Sequence, residues 1–197
     1  MPVLSADANH ILIASDAWGT RTLLEHCRPL SHAQFHRRFE IGPGSIHDTI
    51  THVISATRRW TDRLAGRAPR PMLHALPGRP NLVTEAKERS VDELIALVND
   101  AERDLYTIIK PDPQWLASAV PFEWTADDGS VKLYEFSRAA VIVHLTTHGY
   151  HHRAQVLNML RHLGIPGTSD KLPEPSAVDW QTVTESPPTI RPAAPTA

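Results

Sequence analysis

Apolar residues recur at helical spacing over four long stretches, separated by polar, Gly-rich and Pro-rich breaks. The first stretch runs over roughly residues 6–28 and carries Ile11, Leu12, Trp18, Leu23, Leu24 and Cys27. A short helical turn is expected after it, because Ser31-His-Ala-Gln34 has capping-box spacing. The second opens after Gly42-Pro43-Gly44, with Ser45 as N-cap and Asp48 at N3. It repeats Ile46, Ile50, Val53, Ile54, Trp60 and Leu64, and Gly66 supplies its stop. The third begins at the capping box Ser90-Val-Asp-Glu93. Val91, Leu94, Ile95, Val98, Ala101, Leu105 and Ile108 then keep one apolar stripe as far as Lys110-Pro111. The fourth covers roughly residues 135–163, closed by Gly164 and Pro166.

The stretches between are of other kinds. Prolines at 69, 71, 77 and 80 make residues 67–83 a loop. Val120–Trp124 and Val131–Tyr134 flank Asp127-Asp128-Gly129 and predict a short hairpin. Residues 173–197 are Pro-rich with few large apolar side chains and are expected to be a disordered tail. Four long amphipathic helices with little strand predict an all-α domain over residues 1–172, a four-helix bundle whose long loops permit a crossover connection.

Composition narrows the function classes. Twenty Lys and Arg against 22 Asp and Glu give a net charge of −2. With no basic stripe, binding to nucleic acid is not expected. No apolar run approaches the roughly 18 residues of a membrane span. The opening MPVLSADANH lacks a basic segment followed by an apolar core, so no signal peptide is expected. The single cysteine, Cys27, has no partner for an internal disulfide, which fits a reducing, cytoplasmic setting. It reads as a small core residue rather than a nucleophile.

Histidine is the unusual component: 12 in all, five of them between residues 144 and 162. On a helical wheel with Val141 at about 0°, Leu145, Met159 and Leu163 mark the buried stripe. His148 falls near 340° and His152 near 20°, on that stripe, while His144, His151 and His162 lie on its flank at about 280–300°. Two imidazoles at i and i+4 stand close enough to share one ion. No HExxH is present, so a helical zinc-protease centre is excluded and a further ligand must come from elsewhere. The candidates are His10, His26, His32, His36, His47, His52 and His74, and periodicity does not choose among them. Gln155, near 320°, either lines the site or is a solvated amide. His144 and His151 either support the ligands or lie at the surface. Arg153 points away from the proposed metal face, toward a salt bridge or a dimer contact.

Two segments carry a family resemblance. His52-Val-Ile-Ser-Ala-Thr-Arg-Arg-Trp60, with a His eight residues before a Trp, resembles the second helix of the DinB/YfiT-like family. The run His144-x3-His148-x3-His152-Arg-Ala-Gln155 resembles the last helix of that family. Trp18, Gly44-Ser45-Ile46 and Leu163-Gly164-Ile165-Pro166 fall where such a pattern places them, and the resemblance spans roughly residues 5–172. Ala154 departs from it, standing where Gly is usual. The resemblance implies a four-helix bundle with a crossover, often a homodimer, and one divalent metal held by His52, His148 and His152. Zn²⁺ is the expected ion, although nitrogen ligands would take Ni²⁺ as well. It also implies chemistry on low-molecular-weight thiols: a metal-dependent enzyme that joins a thiol to an electrophilic small molecule. A metal-dependent hydrolase and a non-catalytic metal-binding scaffold stand as the alternatives.

Overall fold

The computed structural model describes residues 4, 6–75, 83–126, 128–164, 175–185 and 187. Among these, seven helices and one two-stranded sheet follow one another: α1 (Ala8–Cys27), α2 (His32–Phe35), α3 (Ile46–Leu64), α4 (Val91–Tyr106), α5 (Pro113–Ala117), β1 (Ala119–Thr125), β2 (Val131–Ser137), α6 (Arg138–Leu163) and α7 (Ala177–Thr184). The protein is mostly helical. Its starts are set by the side chains the sequence offered. Ser45 Oγ accepts from Asp48 N at 3.0 Å, and Ser90 and Glu93 cap each other reciprocally, as do Ser31 and Gln34. Gly66 and Gly164 stand at φ +69° and +62°, the left-handed conformation that ends a helix most cheaply at glycine.

The four long helices pack in pairs: α1 on α4 and α6, and α3 on α4 and α6. Leu23, Leu24, Ile50, Ile54, Leu94 and Leu160 are buried in the main core. Each contributes about 1.5–3 kcal/mol by leaving water. A second apolar cluster, which includes Ile13, Leu105, Val120 and Leu145, ties the hairpin to the end of this body. α1 and α6 also share a buried ion pair, Arg153 Nη1 to Asp16 Oδ1 at 2.5 Å, with a further bond to Thr20 Oγ1 at 3.2 Å. A Cβ on Gly149 would stand 2.2 Å from that Asp16 oxygen, so the glycine is what admits the pair. Of the two roles open to Arg153, this is the salt bridge.

Three boundaries differ from the sequence pattern, the first being that α4 ends at Tyr106 rather than at Lys110-Pro111. The hairpin is present, in the register Phe122↔Tyr134, but its second strand runs on to Ser137, and α6 starts at Arg138 rather than near 135. Glu135 and Phe136 complete the ladder, and Ser137 Oγ then caps Ala140 N at 3.2 Å. The expectation of a disordered tail is corrected over Ala177–Thr184, which form α7 against α1. Trp180 anchors that helix. It is only 6% exposed, with its ring 5.8 Å from that of His10. The rest of the expected tail lies outside the described residues, save those flanking α7 and residue 187. Among the described residues no helix is long and apolar enough to cross a membrane.

Candidate metal centre

The site lies where α3 packs on α6. His52, on α3, is brought to the two α6 histidines that the wheel placed inward. His52 Nε2 and His152 Nε2 each stand 3.1 Å from His148 Nε2. His152 is 9% exposed and the other two are half-buried. Nitrogens bound about 2.0–2.1 Å from a common ion stand about 3.0–3.4 Å apart, so the spacing suits ligands of one centre.

The groups behind the rings select which nitrogen faces inward. His152 Nδ1 donates to Gln155 Oε1 at 2.8 Å. The Gln155 amide donates in turn to His151 Nε2 at 3.0 Å. An amide oxygen only accepts, so His152 Nδ1 carries the proton and Nε2 presents a bare lone pair. His52 Nδ1 lies 3.3 Å from His74 Nε2, which leaves His52 Nε2 as the nitrogen that faces the other two rings. His152 Nε2 is bare and His148 Nε2 holds at most one proton, so the two 3.1 Å contacts of His148 Nε2 cannot both be hydrogen bonds. A cation shared by the three nitrogens relieves the contact that is left unsatisfied. The donor set thus fits a divalent metal.

Electrostatics point the same way. Burial, helped by His152 and His74, lowers the His52 pKa to about 4. Burial and the neighbouring imidazoles, His152 first, lower that of His148 to about 3. Burial also lowers His152, against the bond to Gln155. All three rings are held neutral, the form that ligates.

Of the other sequence candidates, His74 is buried and sits behind His52 rather than beside the three nitrogens. His144 is on the flank, its ring 5.4 Å from that of His148, and exposed His151 reaches the site only through Gln155. Gln155 lines the site, packed so tightly over Gly42 that a Cβ there would meet Oε1 at 2.1 Å. His32, His36 and Glu88 form a second grouping of ligand atoms, with His32 and Glu88 fully at the surface. His10 packs on Trp180 and Tyr106, His26 Nδ1 bonds the Thr22 carbonyl, and His47 accepts from Arg89 N. The role of His74 was missed by sequence reasoning. Its one signal was a histidine following the apolar pair Met72-Leu73 in a loop otherwise rich in proline.

The sequence model of the DinB family matches residues 5–181. The chain belongs to the DinB family. No curated protein matches it. The match extends through most of α7, so the DinB region of this chain reaches past residue 172 and includes Trp180. The DinB chain combines this membership with three histidines arranged for a divalent metal.

Proposed function

We propose that this DinB protein is a metal-dependent enzyme that transfers a low-molecular-weight thiol to an electrophilic small molecule, with His52, His148 and His152 holding Zn²⁺. The packing pairs of α1, α3, α4 and α6 support a four-helix bundle as its frame, and the long connections between its helices permit a crossover. One observation carries the reading: three imidazole nitrogens face one point, and two of the rings are locked in orientation from behind. Three neutral nitrogen ligands leave a coordination position for a reactant, whereas structural zinc is usually closed by four protein ligands. The ion supplies Lewis acidity that ionises a thiol near neutral pH. The residues of the chain supply the rest. Gln155 and His74 hold the rings in register, and the apolar body behind α3 and α6 limits water at one side of the centre. Cys27 is buried, and burial pushes its thiol up to about 12, so the attacking sulfur has to come from an external thiol.

The test is a panel of glutathione, mycothiol and bacillithiol against several electrophiles. Zinc-loaded protein should consume thiol and electrophile in equal amounts, and His148→Ala should abolish this with the fold intact. Hydrolysis of the electrophile without loss of thiol would instead favour the hydrolase. No turnover over the whole panel, with a fourth protein ligand on the metal, would leave a binding scaffold.

A further inference from the structure

A second set of groups lies along the α3 face that carries His52. On α3, His52, Ala56, Arg59 and Arg63 succeed one another at i, i+4, i+7 and i+11 and so form one stripe. Arg59 is about 10 Å along the axis from His52 and Arg63 about 16 Å. Ala56 leaves the stripe low between them. The aromatic contacts follow the same line. His144 joins His148 to Trp60 by ring centroids at 5.4 and 5.7 Å, and Trp60 stacks on Phe122 at 5.3 Å. The Arg63 guanidinium carbon lies 5.1 Å from the Trp60 ring and 5.0 Å from Phe122.

The charges here are unbalanced. Arg21, Arg67, Arg70 and Arg153 each hold a carboxylate. Among the described residues Arg59 and Arg63 hold none. Arg59 Nη1 donates to the Arg70 carbonyl, and Arg63 Nη1 to the Arg59 carbonyl at 3.2 Å. Asp62, the carboxylate that acts on both, is already held by Arg67 at 3.0 Å and Arg70 at 2.9 Å. Both guanidiniums are half-buried, and each repels the other. A pair of partly desolvated cations with no carboxylate in direct contact is costly unless an anion completes it.

We infer that this face of α3 is a binding site for the carboxylate of an aromatic or otherwise flat acid, which pairs with Arg59 and Arg63 while its apolar body lies against Trp60 and reaches toward the three histidines. Arginine suits this better than lysine, since its planar fork takes a carboxylate bidentately and packs on aromatic rings. The inference rests on the proposed metal enzyme for what the ligand is there to do, and it gives that enzyme an acidic acceptor substrate.

Cinnamate and its uncharged amide, titrated into zinc-loaded protein and followed by calorimetry, test it without any turnover. Cinnamate should bind about tenfold or more tightly than the amide. In Arg59→Gln/Arg63→Gln that difference should vanish, with one equivalent of zinc and an unchanged thermal midpoint. Arg63→Gln alone gives the same reading if the double variant unfolds, because that side chain donates only to one carbonyl in its own helix. Equal affinity for acid and amide overturns the inference. So does a preference for the acid that survives in the variants, which would place the carboxylate on the metal. Loss of the preference is a statement about the arginines, whereas absence of zinc in wild type would defeat the metal-site reading, so the two can fail separately.

Discussion

At the residue scale the site depends on which nitrogen of each ring faces inward. Gln155 makes that choice for His152, and its replacement tests whether the choice matters. Gln155→Leu should weaken zinc binding about 10–100-fold with the fold intact, measured by competition with a chromogenic chelator. The same rings set a dependence on pH. The folded pKa values of His52 and His148 lie at about 4 and about 3, below the 6.5 of an unfolded chain. Between these limits the unfolded state binds more protons, so stability is complete above pH 6.5 and falls as pH drops toward 4 for His52 and on toward 3 for His148. Urea midpoints of metal-free protein should decline over that window, and His148→Leu should flatten the decline. His148 and His152 were legible from a wheel, because they occupy positions where Leu or Val is the rule. His52 was not: its ring projects from the flank of the α3 apolar stripe, and only the fold turns that flank toward α6. That position became legible by resemblance, not by periodicity.

At the element scale, both ends of α3, the start of α4 and the end of α6 were readable because a single cap or glycine decides each of them. The start of α6 was misread because Glu135 and Phe136 satisfy helical and strand patterns alike. Pairing with β1 decides for the strand, and that is a contact distant in sequence. The α1–α6 contact hangs on one buried pair. Burial raises the Asp16 pKa while Arg153 opposes it, so Asp16 needs its partner to stay charged. Arg153→Met should cost about 3–5 kcal/mol by urea unfolding, since it leaves a buried carboxylate alone. Asp16→Leu added to it should recover much of that loss. Nothing in the wheel of either helix foretold the pairing, since it requires the crossing of α1 on α6 and the space left at Gly149.

At the scale of the whole molecule, the surprise is α7. Eight residues are too few to form a stable helix alone, and the segment offers one large aromatic, so a sequence reading has little reason to expect order there. Packing against α1 supplies what propensity lacks. Trp180→Ala should cost about 3–5 kcal/mol, seen as a lower thermal midpoint and as faster amide exchange over residues 177–184, while zinc content stays the same.

The sealed position of Cys27 has a consequence for durability. Under the proposed reaction the protein meets soft electrophiles at every encounter, and an accessible thiol of its own would be alkylated. Here the sole thiol is packed in the core and kept protonated, so the chain offers little for an electrophile to attack. Native protein held with excess iodoacetamide at neutral pH should keep its intact mass for hours. The same protein in urea should gain a single adduct at cysteine. Rapid labelling of the native chain would mean that the core opens often enough for the fold to give no such protection.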